Sequence, residues 1–163
     1  MGRMEDEDET RRKTQSYERL YPRLYRALAA TLLDAELAAD SVQEAFLESI
    51  ERPPADDRNI GGWLFRVALR HARRDWRRSF SARLAAPARD DKAQSELDNA
   101  IDRVAVGELL RLLSERQRAI VVAYYYLDLR QEDIAVLLGI KRGTVAATLA
   151  QALGRMRQGG EHA

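Results

Sequence analysis

Residues 127–156 read LDLRQEDIAVLLGIKRGTVAATLAQALGRM. Ile134, Ala135, Leu138, Gly139, Ile140 and Val145 fall at the spacings of a helix-turn-helix. The pattern predicts a short helix over residues 131–138, then a turn at Gly139, where the chain needs a positive φ. Ala135 is small enough to let a second helix cross closely. That helix is expected from Arg142, with Val145, Leu149 and Leu153 on one face. Ile134, Leu138 and Val145 form the wedge between the two. In such a unit the N-terminal part of the second helix enters a DNA major groove. Lys141 and Arg142 stand there, and Thr144 and Thr148 lie beside the apolar stripe.

Outward from this stretch, composition narrows the choices. The 163 residues suffice for one ordinary domain or two small ones, and at 45% apolar content they can build cores. Alanine, leucine, arginine and glutamate dominate, which favours helix. Only residues 121–127 form a short ambiguous run. The absence of cysteine excludes disulfides, thiol chemistry and cysteine metal sites. No apolar run nears the roughly 18 residues of a membrane span, and the acidic N-terminus is not a signal peptide. A formal net charge of +1 does not by itself announce a nucleic-acid binder. The distribution of charge says more.

Residues 1–15 hold an acidic block and then basic residues, and read as a disordered tail. A first helix over residues 16–33 carries Leu20, Leu24, Leu28 and Leu32, with Tyr17, Tyr21 and Tyr25 alongside. A second over residues 35–50 places Ala38, Val42, Ala45 and Phe46 inside and Asp40, Gln43, Glu44 and Glu48 outside. Asp40 and Glu44 are a like-charge pair four residues apart with no histidine nearby, so a solvated or partner-facing surface fits better than a metal or acid–base site. Pro53, Pro54, Asp56 and Asp57 mark a loop. The third helix, from near Trp63, is strongly basic. Residues 66–83 hold seven arginines against the single acid Asp75, a formal +6. That is a phosphate-binding footprint, with Trp76 and Phe80 available to stack on bases. His71 has no ligand-like companion and reads as a packing or surface residue. Residues 81–97 read as a linker. Residues 98–157 form a second helical unit, with Ser114 and Gln117 spaced as a capping box. The expected architecture is all-α: a helical domain over residues 16–80, a flexible linker, a helix-turn-helix domain over residues 98–157, and a tail over residues 158–163.

In this order the segments resemble the extracytoplasmic-function group of the sigma-70 family, the bacterial RNA polymerase sigma factors. ADSVQEAFL at 39–47 is similar to the family segment that grips the largest polymerase subunit. The resemblance thus implies core polymerase binding by Asp40, Gln43, Glu44 and Phe46. GWLFRVALRHARRDWRR at 62–78 resembles the segment that recognises and melts the −10 element, implying roles for Trp63, Arg66, Arg70, Arg73, Arg74, Trp76, Arg77 and Arg78. Residues 113–157 resemble the −35-reading region, implying contacts from Lys141, Arg142, Thr144, Thr148, Gln151 and Arg155. The chain departs from the family pattern at Arg70, Ser114, Lys141, Arg142, Ala146, Ala147 and Gln151. Ala146 and Ala147 stand where phosphate contacts are common, which points to a weaker −35 grip unless Lys141, Arg142 and Arg155 compensate.

The resemblance further implies a non-enzymatic, cytoplasmic protein without cofactor or metal. Its implied partners are core RNA polymerase, promoter DNA and an anti-sigma factor, which could hold it at the inner membrane face. Melting would come from capture of unstacked −10 bases between the basic helix and the loop at residues 53–62, without nucleotide hydrolysis. Two other readings stand beside this one. A helix-turn-helix regulator binding duplex DNA as a dimer leaves the arginine helix and the 39–47 surface unexplained. A helical adaptor pairing its arginines with an acidic partner would lack salt-dependent DNA binding.

Overall fold

The computed structural model describes residues 2–56, 58–83 and 104–160. Among them are seven α-helices and no strand: α1 (Gly2–Leu32), α2 (Ala35–Glu51), α3 (Ile60–Arg83), α4 (Val104–Arg111), α5 (Glu115–Tyr125), α6 (Gln131–Leu138) and α7 (Arg142–Gly160). The all-α expectation holds, and the ambiguous run at 121–127 is the end of α5 and the turn after it.

α1 begins far earlier than its apolar pattern does. The tail expected at residues 1–15 is helical from Gly2 onward. The sequence accounts for this locally. Acidic residues crowd the N-terminal end, where the helix dipole favours them, and Glu7 and Asp8 precede Arg11 and Arg12 by four residues. Pro22 therefore lies deep inside the helix, where it removes one backbone hydrogen bond without ending it. Further along, Leu24, Ala27, Leu28 and Thr31 are buried at helical spacing, and the Thr31 hydroxyl donates to the Ala27 carbonyl at 2.9 Å.

The chain reverses at Leu33, which takes a left-handed φ of 55°. Asp34 then caps α2, its carboxylate accepting from the Leu37 N–H at 2.9 Å. α2 buries Ala35, Ala38, Ser41, Val42, Ala45 and Phe46. Asn59 caps α3 in the same way, its side-chain oxygen accepting from the Gly62 N–H at 3.1 Å. α3 buries Leu64, Phe65, Val67, Ala68, Leu69 and Ala72. It continues to Arg83, so the first three residues of the expected linker are helix. The rest of that linker lies outside the described residues.

Ser41 is fully buried, and its hydroxyl has no hydrogen-bond partner among the described residues. A buried hydroxyl that exchanges water for nothing destabilises the fold. Ser41→Ala should therefore stabilise the protein by about 1 kcal/mol, a rise of roughly 3 °C in Tm. Thermal melts would check it, and a fall would show that the hydroxyl is satisfied in solution.

In the second half, Ser114 and Gln117 form the expected capping box at the start of α5. The Ser114 hydroxyl accepts from the Gln117 N–H at 3.2 Å, and the Gln117 side chain accepts from the Ser114 N–H at 3.0 Å. α5 buries Ala119, Ile120, Val121, Val122 and Ala123, nearly all round, as a central helix must. The buried residues of both halves belong to one continuous cluster running from Leu24 to Ala152. α1 packs on α5, and α3 packs on α6. The two halves of the chain are thus in contact.

Candidate nucleic-acid and polymerase interfaces

The helix-turn-helix forms where its spacing placed it. α6 ends at Gly139, whose φ of 64° is the left-handed value a non-glycine side chain resists. The Gly139 N–H donates to the Val136 carbonyl at 3.3 Å and the Ile140 N–H to the Ala135 carbonyl at 2.9 Å. This pair of reversed bonds satisfies the carbonyls left open at the helix end. Ile134 and Val145 of the expected wedge are buried, with Ala135 and Leu149, whereas Leu138 is only partly buried against the core. The third buried position on α7 is Ala152, while Leu153 is only partly covered. A step of four residues drifts past one face of a 3.6-residue helix, so the stripe corrects itself with a step of three.

The side chains expected at the −35 element divide into two groups. Lys141, Arg142 and Gln151 are exposed. Arg142 is not idle, since its Nε lies 2.8 Å from a Glu132 carboxylate oxygen on α6. Thr144 and Thr148 are half-buried, and the Thr148 hydroxyl donates back to the Thr144 carbonyl at 2.7 Å. Arg155 turns toward α5, donating to the Gln117 side chain at 3.1 Å. Ala146 and Ala147 are exposed and leave the outward face of α7 without charge at those positions.

On α3 the arginines run along the exposed side. Arg66, Arg70, Arg73 and Arg74 all reach solvent, and Trp63 is half-buried against the core. Arg70 forms a hydrogen bond and ion pair with Glu48 of α2. The other oxygen of Glu48 lies 2.7 Å from Nε2 of the buried His71. The Arg70 guanidinium, and less strongly His71, hold the Glu48 carboxyl below the usual range despite some burial. Arg73 Nε donates to Glu115 on α5 at 2.9 Å. Among the described residues Arg66 and Arg74 form no ion pair. The side chains of Trp76, Arg77 and Arg78 lie outside the described residues, though α3 runs through these positions.

The loop ahead of α3 is shorter than its composition implied, because the helix starts at Ile60. Arg58 folds onto Asp56, with its Nε 2.8 Å and 3.1 Å from the two carboxylate oxygens and its N–H 2.9 Å from one of them. Those hydrogen bonds lower the Asp56 pKa.

The expected polymerase-binding set separates by burial. Asp40, Gln43 and Glu44 are exposed on α2, whereas Phe46 is only 8% exposed. Its ring meets Tyr17 edge-on at 4.3 Å and lies 6.5 Å from Tyr21. Phe46 thus closes the packing between α1 and α2. Two residues that sequence reasoning passed over stand out beside Gln43 and Glu44: Leu47 and Ile50 are 55% and 60% exposed. They continue the 40–43–44 row at helical spacing, and that spacing was the available signal. Together they put an exposed apolar pair beside the acidic and amide side chains of this face.

No group of three or more acidic, histidine or cysteine side chains suited to a metal occurs among the described residues, and no described helix is long and apolar enough to cross a membrane.

Residues 16–80 match the family model of Sigma-70 region 2, and residues 103–156 that of Sigma-70, region 4. The ECF RNA polymerase sigma factor SigL of Mycobacterium tuberculosis is 33% identical over 133 residues, covering 76% of this chain and 75% of that protein. The RNA polymerase sigma-E factor of Streptomyces coelicolor is 27% identical over 140 residues, covering 83% and 78%. Among solved structures, the sigma factor RpoE, co-crystallised with the anti-sigma factor NepR from Bartonella quintana, superposes with a TM-score of 0.70 over 91% of this chain and 96% of that one. At 16% identity that likeness concerns the fold. With the helix-turn-helix, the arginine helix and both sigma regions in order, the chain belongs to the sigma-70 family, among the ECF RNA polymerase sigma factors.

Proposed function

We propose that this chain docks on core RNA polymerase through the outward face of α2 and positions α3 and α7 on the −10 and −35 elements of a promoter. The observation that carries this reading is the exposed arginine row of α3, Arg66 to Arg74, within the region 2 match. Guanidiniums spaced along one helix suit the phosphates of an unpaired strand, and the half-buried Trp63 offers a ring at the helix start. Base choice would come from the residue 52–59 loop and from Lys141, Arg142 and Gln151 on the second helix of the helix-turn-helix. Melting follows from capture of the unpaired strand and needs no bond-breaking by this chain, so the protein acts in the cytoplasm as a non-enzymatic subunit. An acidic or amphipathic anti-sigma factor would compete for the same arginines.

The uncharged outward positions Ala146 and Ala147 leave α7 with few phosphate contacts, so −35 binding would rest on Lys141 and Arg142, the latter shared with Glu132. In vitro transcription of genomic DNA by purified core polymerase, with and without this protein, tests the whole reading. The expected result is a set of new start sites sharing a pair of upstream elements. No new starts and no stable complex with core polymerase would leave the dimeric regulator as the better description.

A further inference from the structure

We infer that Glu132 of α6 is a specificity residue, holding Arg142 at the start of α7 so that its guanidinium reads a guanine of the −35 element instead of closing on a phosphate. This deepens the reading of α7 as the −35 helix and rests on it. Nε of Arg142 lies 2.8 Å from a Glu132 carboxylate oxygen, and both side chains are more than half exposed. An exposed pair of this kind adds little to stability. Its consequence is geometric. An untethered arginine samples many rotamers, and a phosphate accepts it from most of them, whereas a base edge demands one orientation. Glu132 is the ion-pair partner that restricts Arg142, and no second one occurs among the described residues. With Nε held, the two Nη groups are left as donors for DNA. They match the O6 and N7 acceptors of a guanine, the commonest partner of an arginine in the major groove.

The elements that carry the pair are fixed relative to each other. Glu132 lies in the first turn of α6 and Arg142 is the first residue of α7. Between them the left-handed Gly139 and the bond from the Ile140 N–H to the Ala135 carbonyl set the angle of the turn. The rest of α7 makes the contact decisive. In its N-terminal half the other exposed positions are Gly143, Ala146, Ala147, Ala150 and Gln151, and of these only Gln151 has a hydrogen-bonding side chain. An alanine methyl can meet the methyl of a thymine but cannot tell guanine from the other bases by hydrogen bonds. The carboxylate also acts against the wrong complex, since a phosphate closing on Arg142 meets the negative charge of Glu132. It lowers affinity on all sequences and raises the ratio between right and wrong ones.

The test uses holoenzyme assembled from core polymerase and the full chain, on a promoter library randomised across the upstream element, with the transcripts sequenced and counted. Arg142→Ala maps the position it reads: preference for guanine should vanish there and persist elsewhere. Glu132→Ala should lower the guanine preference at that same position about tenfold. Retention of the holoenzyme on non-promoter duplex should rise in that variant, because a negative charge has left the surface. Charge alone predicts the uniform gain with preferences unchanged. Glu132→Gln, which keeps an acceptor oxygen at the same reach, should retain most of the preference. Glu132→Ala combined with Arg142→Ala should lose no more than Arg142→Ala does. The ratio between bases in one sample does not depend on the fraction folded, so a change in stability leaves the result readable. Arg142→Ala weakening transcription equally for every base would overturn the proposal, since Arg142 is then a phosphate contact. So would an intact guanine preference in Glu132→Ala, or a change at a different position, as a carboxylate reading cytosine N4 would give. If instead the wild-type holoenzyme shows no base preference anywhere in the upstream element, the −35 reading of α7 itself fails.

Discussion

Changing Arg66, Arg70, Arg73 and Arg74 together to glutamine should reduce open-complex formation by roughly a thousandfold, while the complex with core polymerase persists. Each charge-assisted contact to a phosphate is worth on the order of 1 kcal/mol after exchange with water, and 1.4 kcal/mol is a factor of ten. Four such contacts give about three powers of ten. The salt dependence should weaken in step, by a slope of about 0.7 for each lost contact to a single strand. The four positions are not equivalent, and the difference makes the experiment readable. Arg70 supports Glu48, which also holds His71, so its loss disturbs the junction of α2 and α3. Arg73 ties α3 to α5 through Glu115. Arg66 and Arg74 have no ion pair among the described residues, so Arg66→Gln with Arg74→Gln removes charge and little else. That pair alone should lower open-complex formation by more than tenfold with no change in Tm. Equal loss of core binding would recast the arginine row as a polymerase-facing surface.

Local signals in the chain were read well where one residue controls the backbone. Gly139 announced the left-handed turn of the helix-turn-helix, and Ser114 with Gln117 announced a capping box; both form as spaced. Their reach is four residues or fewer, so no tertiary knowledge was needed. Burial on α2 was legible from periodicity, since the 38–42–45–46 spacing put Phe46 inside, but the rings it meets there, Tyr17 and Tyr21 of α1, were not. The contact between the halves was not legible at all. Beside the apolar packing, it includes Arg118 meeting the Thr31 carbonyl, 87 residues away, and a backbone acceptor has no signature in a sequence. The bond from the exposed Arg155, which the resemblance implies as a DNA contact, to Gln117, a capping residue on another helix, was equally illegible. The N-terminal helix was missed for a different reason: without apolar periodicity, charge pairing at four-residue spacing was the remaining cue, and it is weak for each pair.

The contrast between the two faces of α2 yields a second large effect. Leu47→Ala with Ile50→Ala should weaken core polymerase binding by 30-fold or more at unchanged stability, since a pair of apolar anchors at a docking centre carries about 2 kcal/mol or more. Both side chains are more than half exposed, and alanine is the best helix former, so the folded state loses little. Phe46→Ala should do the reverse in its primary effect. Removing a buried ring that sits 4.3 Å from Tyr17 destabilises the fold by about 3 kcal/mol or more, through lost transfer energy and the cavity left behind. Any fall in polymerase binding should then track the fraction unfolded and recover on cooling toward the temperature of maximum stability. Thermal melts and a binding titration on the same samples separate the two cases. If the double alanine variant binds core polymerase like wild type, the outward face of α2 is not the docking surface, and Asp40, Gln43 and Glu44 lose their assigned role with it.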